Sequence, residues 1–511
     1  MSSLSENNKR IAKNTLVLYA RMLLTVGISF YSTRLILANL GVSDYGLYNV
    51  VGGLVSMLYI VTTTLTESIG RFLTYGLGKN NVDDLKKTFS TSLSILLVFS
   101  SVVVFLGETM GVWFLNYHLN IAEDRYVAAN WIFQFSLLSF VLEMCIIPFN
   151  ALIIAHERMK AFASVTIIDV LLKLCVAFLL AVSPIDRLIF YGVLMLGVSI
   201  VRQGIYICYS VMRFGECRFH FVFEKDLYRP ILNFAGLKLL SVTGTMIATT
   251  GVSILLNMFY GTVVNAAKGI ANQIQNYAGS FTKNFMTALN PQIIKSYAGN
   301  QVEYLVSLVY RGSVFSYLLF FIVAFPILCE LDFILSIWLE EVPTYTATFI
   351  QYTLIGQLLL VTTDNVLTLN NAIGRIKEYE MVSFCCYMLV LPISWVFFKF
   401  DYAPTITVVI YYSIMAIART SAIAINRKYV PVTFVGFYKH VCVKLFRVSI
   451  IAVLLTMPFR LSLEAGWIRF LMVGLVSTSS ILLSSYLIAL DKNEQYAVMR
   501  KINQGLHRRG P

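Results

Sequence analysis

Apolar residues run along this chain in long blocks, and short polar pieces separate them. A helix that crosses a bilayer needs about 20 mostly apolar residues. Fourteen stretches have that character, near 12–39, 45–69, 88–112, 127–154, 163–182, 188–212, 232–257, 262–291, 305–328, 346–373, 379–398, 404–425, 442–460 and 467–490. Inside a bilayer every backbone polar group must be satisfied within the segment, which selects helices for spans of this length. The pattern therefore predicts an all-α polytopic membrane protein with about 14 transmembrane helices. The longest pieces outside the blocks are 213–231 and the tail from Asp491. No soluble domain is inserted, which weighs against membrane glycosyltransferases and polysaccharide polymerases, since these carry sizeable loops for catalysis.

The polar residues within the blocks are not scattered. At 100° per residue, and taking Lys268 as the origin, Asn272, Gln275, Gly279, Lys283 and Asn290 fall within an arc of about 80° on span 8. They mark one polar face roughly 30 Å long. Gln273 and Asn284 fall elsewhere on that helix. Lys238, Ser241, Thr245 and Thr249 share a side of span 7, and Asn49, Ser56, Thr63, Glu67 and Arg71 share a side of span 2. Glu67–Arg71 and Asp169–Lys173 have i,i+4 spacing and are expected to pair. Arg21 and Arg34 lie in span 1, and Asp364 lies in span 10.

A charged residue at the bilayer centre costs about 2.5–3.5 kcal/mol on insertion scales, so several together imply a wet interior or mutual pairing. The candidates for an anionic substrate path are Lys268, Lys283, Lys238, Arg34, Asn272, Gln275 and Arg71, and those for ion coupling are Asp169, Asp364 and Glu67. A lysine holds a phosphate as a point charge and an arginine can fork it. The plainer reading is that these charges snorkel or pair for packing. Arg21, Arg202, Arg419, Lys444, Arg447 and Arg469 are placed near the membrane interfaces on that reading.

The chain also resembles itself. Residues 131–162 align with 348–379 at an offset of 217, pairing Gln134 with Gln351, Arg158 with Arg375 and Lys160 with Lys377. The same offset pairs Arg202 with Arg419. The stretch from Leu40, LGVSDYGLYNVVGG, matches that from Tyr260, YGTVVNAAKGIANQ, at offset 220. Two six-span lobes related by an axis along the membrane normal follow, with a substrate site expected between them. The expected organisation is 1–230 for the first lobe, 231–430 for the second, and 431–511 for spans 13 and 14 with the tail.

Composition sharpens this picture. Of 511 residues, 58% are hydrophobic and only 13% charged, and mean hydropathy is +0.73. A soluble protein of this length would need a more polar exterior, so a soluble enzyme, a disordered chain and a small disulfide scaffold are excluded. The net charge of +13 would suggest nucleic acid in a soluble protein. Here its placement assigns it to orientation and gives no reason to expect nucleic acid. With the N-terminus cytoplasmic, 24 of the 40 basic residues fall in cytoplasmic segments and four (Arg125, Arg187, Lys399, Arg460) on the other side. Both termini are then cytoplasmic, as an even number of spans requires. The eight cysteines form no C-x-x-C, and the five histidines show no metal-ligand spacing, so no metal or cofactor is expected. The polar stretch 1–13 and the long apolar run after it do not suit a cleavable signal.

At residues 33–53, TRLILANLGVSDYGLYNVVGG, the sequence resembles the first-to-second-span signature of Wzx-type polysaccharide flippases, in the multidrug/oligosaccharidyl-lipid/polysaccharide (MOP) exporter superfamily. Arg34, Leu40-Gly41, Asp44-Tyr45-Gly46 and Tyr48-Asn49 carry the resemblance, with the counterpart from Tyr260-Gly261 to Ala271 and the closing Asn290-Pro291. The resemblance implies a V-shaped, MATE-like transporter of the bacterial inner membrane that works by alternating access. It implies a cargo of undecaprenyl-diphosphate-linked oligosaccharide, coupling to a proton or sodium gradient, and polymerase and chain-length machinery as partners. No arginine cluster of the lipid II flippase branch is present, nor a motif specific to the drug antiporters.

Two other classes compete. A small-molecule cation antiporter of the same superfamily would favour acidic cavities, and the mid-span carboxylates are few: Glu67, Glu143, Asp169 and Asp364. A membrane glycan polymerase or ligase would need a catalytic constellation on an outer loop. The loop with Glu330, Asp332, Glu340 and Glu341 has no basic residue near it in sequence and is expected to be a solvated acidic rim.

Overall fold

A computed structural model describes residues 2–56, 58–79, 82–117, 121, 123–217, 225–339, 342–490 and 495. Side chains are described at these positions except 2–9, 30, 33, 34, 37, 42, 43, 45, 46, 49, 50, 53, 54, 56, 60, 225 and 262. The elements among the described residues are helical: α1 (Ser2–Ser56), α2 (Tyr59–Gly78), α3 (Val82–Leu106), α4 (Val112–Tyr117), α5 (Tyr126–Ala155), α6 (Met159–Leu179), α7 (Arg187–Arg213), α8 (Lys225–Ala298), α9 (Val302–Cys329), α10 (Leu331–Trp338), α11 (Thr346–Val361), α12 (Asp364–Ile373), α13 (Lys377–Lys399), α14 (Ile406–Asn426), α15 (Phe434–Phe437), α16 (Val443–Ser462) and α17 (Trp467–Ser484).

Among the described residues, eleven helical segments are long and apolar enough to cross a membrane. Large apolar side chains such as Phe446, Leu454, Leu471 and Leu475 are exposed on them, as a lipid-facing surface requires. The protein is thus a multi-pass membrane protein, although the count is below the fourteen expected. Three expected spans fall outside this set. Span 2 is divided between α1 and α2, and span 8 is the second part of α8, dense in Asn, Gln and Lys. Span 10 is broken into α11, apolar but only 16 residues long, and α12. The break falls in the run Thr362-Thr363-Asp364, where each threonine hydroxyl donates to a backbone carbonyl three residues back (Leu359 O at 2.7 Å, Leu360 O at 2.8 Å).

The chain folds as two compact units. Unit 1 comprises Met1–Val242 with Thr287–Asn300, and unit 2 comprises Thr243–Met286 with Gln301–Pro511. The long helix α8 therefore contributes its two ends to unit 1 and its middle to unit 2. Each unit has its own apolar core, around Phe89, Phe140 and Met144 in unit 1 and around Phe320, Phe349 and Leu354 in unit 2. Helices α16 and α17, which correspond to spans 13 and 14, pack on each other and on α9 in unit 2.

The repeat is written into the backbone. Helix α1 is kinked at Gly41 (φ 82°, ψ 165°) and α8 at Gly261 (φ 80°, ψ −174°). These positions are 220 residues apart, the offset read from the sequence. Both lie in a region of φ/ψ space that is essentially reserved for glycine.

Within each unit, ionic contacts gather at the two ends of the helices. In unit 1, Arg125 bridges Asp44 (3.0 Å) and Asp186 (2.5 Å), and Arg187 donates to Asn39 O at 3.0 Å. At the opposite end, Glu157 gathers Arg10 (2.7 Å), Lys295 (2.8 Å) and Gln292 (2.7 Å). In unit 2, Lys428 meets Glu378 at 2.7 Å on one side, and Arg469 meets Glu330 at 2.9 Å on the other. The last pair corrects the acidic-rim expectation: Glu330 is 2% exposed and bound by an arginine from α17, far away in sequence, while Asp332 is exposed. Glu340 and Glu341 lie outside the described residues.

Candidate functional site

The expected path residues divide between the units. In unit 2, the Lys268 ammonium folds back on the preceding span, donating to Thr249 O and Ser253 Oγ at 3.2 Å each. Both partners are uncharged. No carboxylate among the described residues lies within ion-pair distance of Lys268, so its charge is solvated by neutral oxygens rather than cancelled. Asn272 and Lys283 are exposed on the same helix, and Gln275 donates to Gln357 Oε1 on α11 at 3.0 Å. The polar face expected on span 8 is thus present, with Gln275 engaged in packing.

Lys283 lies within electrostatic reach of Asp364, whose carboxylate is bound by Arg419. Asp364 opens α12, where a helix N-terminus favours negative charge. The Arg419 guanidinium also donates to Leu360 O near the end of α11 at 2.8 Å, alongside the Thr363 hydroxyl and N–H. One arginine therefore bridges the two sides of the break in span 10.

In unit 1, Lys238 meets Glu67 at 3.7 Å. Glu67 does not pair with Arg71, contrary to the i,i+4 expectation. The Arg71 guanidinium lies over the rings of Phe72 (4.7 Å), Phe234 (5.3 Å) and Tyr75 (5.4 Å) instead. Stacking between α2 and α8 draws the arginine sideways, and a lysine from α8 takes the carboxylate. The side chain of Arg34 lies outside the described residues, as do those of Asn49 and Ser56.

Asp169 pairs with Lys173 at 2.8 Å, as its spacing predicts. It also has a neighbour that sequence reasoning placed elsewhere. Arg202 from α7 lies 3.8 Å from Asp169 and 3.5 Å from Glu143 on α5. Arg202 is not an interfacial residue, and neither is its repeat partner Arg419. Each holds a carboxylate inside its own unit. The partners lie on other helices at unrelated spacings, so no local pattern marks them. The match of Arg202 with Arg419 in the repeat was the usable signal, because both sit mid-span.

Glu143, Asp169, Lys173 and Arg202 line an open pocket of about 310 Å³ in unit 1. Tyr59 on α2 donates to Glu143 Oε2 at 2.7 Å across it. No group of His, Cys, Asp and Glu able to hold a metal occurs among the described residues.

Comparison with known proteins identifies this arrangement. A family model described as polysaccharide biosynthesis protein matches residues 11–304, more than half of the chain. The chain belongs to the polysaccharide biosynthesis protein family. A second model, MatE, matches residues 239–396, and the two matches together place the transporter in the MOP superfamily. No protein of curated function matches the transporter in sequence. Its fold is similar to that of a MATE protein crystallised in complex with MaD3S, with a TM-score of 0.71, 11% identity, and 83% of this chain and 96% of that chain covered. It is also similar to a MOP superfamily transporter from Pyrococcus furiosus described as having reverse polarity of the binding pocket, with a TM-score of 0.67, 12% identity, and 82% and 95% covered. The MATE transporter ClbM in complex with Rb+ gives a TM-score of 0.66 at 12% identity, with 83% and 94% covered. These likenesses show a MATE-like fold.

Proposed function

We propose that this polysaccharide transporter moves lipid-linked oligosaccharides across the bacterial cytoplasmic membrane by alternating access, with a diphosphate-bearing headgroup as the charged part of the cargo. Undecaprenyl-diphosphate-linked repeat units have the required chemistry: an anion beside a hydrophilic glycan on a lipid that stays in the bilayer. The observation that carries the reading is Lys268, an intramembrane ammonium held by two neutral oxygens on the polar face of α8. An unneutralised intramembrane cation favours an anionic ligand. The family match supports a glycan as the rest of the cargo.

Both termini are cytoplasmic in this reading, and a polysaccharide polymerase with its chain-length machinery receives the flipped units. A proton or sodium gradient would act on one of the paired carboxylates Asp169, Asp364 or Glu67, each of which already faces a base. The MatE match keeps a cation antiporter as the second reading. That reading needs a carboxylate open to a cationic drug, and these pairings work against it.

Deletion of the gene in its host tests the proposal. Surface polysaccharide should be lost and lipid-linked repeat units should accumulate, with drug susceptibility unchanged. Normal polysaccharide together with increased drug susceptibility would favour the antiporter.

A further inference from the structure

The pocket of unit 1 has a chemistry that anion transport leaves unexplained. Its two carboxylates, Glu143 and Asp169, are balanced by Lys173 and Arg202. A phosphate placed there would face both carboxylates, and a bare metal cation would face both bases. Balanced fixed charge favours a neutral guest.

The hydrogen bonding inside the pocket is incomplete in a specific way. Asp169 is 6% exposed, and its Oδ1 accepts no hydrogen bond. Arg202 Nη1 is 3.8 Å from that oxygen, and Arg202 Nη2 is 3.5 Å from Glu143 Oε2, too far for good hydrogen bonds. An unfilled acceptor and an unfilled donor group thus stand side by side. A hydroxyl admitted between them by a small shift of the Arg202 side chain would donate to Asp169 and accept from Arg202, using both halves of its hydrogen-bonding capacity. Leaving such groups unmatched in a buried site is costly, and a guest that supplies hydroxyls removes that cost.

The other walls suit the same guest. Ser136 and Ser139 on α5 and Ser199 on α7 add hydroxyls. The Tyr59 and Phe140 rings pack edge to face at 5.0 Å and present apolar surface. At about 310 Å³ the space is far larger than an ion needs and matches the lower end of small-molecule pockets.

We propose that this pocket is a subsite for a neutral sugar residue of the cargo, oriented by Asp169 and Arg202. The inference rests on the transporter carrying a glycan. It assigns Asp169 to the cargo and leaves ion coupling to Asp364 or Glu67.

The test is binding to the purified full-length protein in lipid nanodiscs. The probes are methyl glycosides of neutral hexoses, 6-deoxyhexoses and N-acetylhexosamines, with inorganic phosphate and sodium chloride as further arms. At least one glycoside should bind saturably and without displacement by phosphate or sodium. Asp169→Asn should weaken it by about tenfold, and Ser139→Trp, which fills the pocket while leaving its charges, should abolish it. Thermal melts of both variants show whether they are folded, and Ser199→Leu serves as a second filling variant. The subsite is overturned if no glycoside binds, if binding survives both filling variants, or if sodium or phosphate competes. These outcomes separate from the flippase reading: lost polysaccharide in the deletion strain with no glycoside binding removes the subsite alone, whereas glycoside binding with normal polysaccharide removes the flippase role alone.

Discussion

Glu157 shows what a single side chain does in this fold. Its φ of 57° is left-handed, a conformation that costs a non-glycine residue energy, and its side chain is 1% exposed. Three side chains from α1 and α8 compensate by donating to its carboxylate, and Asn14 reaches its backbone carbonyl at 3.4 Å. Removing the carboxylate by Glu157→Ala leaves Lys295 and Arg10 facing each other across a gap. It should destabilise unit 1 by about 3–5 kcal/mol, read as a lowered Tm in detergent. Nearby, His156 Nε2 lies 2.5 Å from Glu216 Oε1, and this hydrogen bond holds the Glu216 carboxyl below its ordinary value of 4.5. A depressed folded-state pKa contributes stability that is present above the ordinary value and lost as pH falls through the folded one. Acid unfolding of the native protein should therefore lose stability below about pH 4.5, and Glu216→Gln should flatten that part of the profile; an unchanged profile would remove the pair from the acid response. Neither cluster was legible in the sequence, because the partners come from segments more than 50 residues apart and share no spacing. The Asp169–Lys173 pair was legible because it lies on one helix face, whereas Glu67–Arg71 had the same spacing and was outcompeted by rings and a lysine from α8.

At the scale of elements, the kinks carry the information. Gly41 and Gly261 adopt the same conformation at equivalent places, and a Cβ added at either meets nothing within 4 Å. Any penalty for alanine there is therefore backbone strain rather than collision. Gly41→Ala and Gly261→Ala should each cost about 1–3 kcal/mol. Gly27→Ala, in a regular helix with equally open space, should be neutral or slightly stabilising. Equal stability of all three variants would show that the kinks are not strained. The offset of 220 made these glycines findable as a pair from sequence, and only their role as kinks required coordinates. Span 10 was the opposite case. Its apolar length suggested an unbroken helix, and the polar run Thr362-Thr363-Asp364 divides it, with Arg419 bridging the Leu360 carbonyl and Asp364. Polar spans 2 and 8 were recognised by period but fall outside the purely apolar set, for the same reason that makes them candidates to face cargo.

At the scale of the whole molecule, composition sufficed for a helical membrane protein. What composition could not reveal was that, among the described residues, the intramembrane carboxylates Asp364, Glu67 and Asp169 are matched by Arg419, Lys238 and Lys173. Against that background Lys268 differs, with two neutral oxygens as its partners. The most direct test of the account is translocation of a labelled undecaprenyl-diphosphate oligosaccharide by the purified protein in liposomes. The wild-type protein should move the headgroup between leaflets, and Lys268→Ala should slow this by about tenfold or more with insertion and folding unchanged. No translocation by the folded wild-type protein, or full-rate translocation by Lys268→Ala, would contradict it.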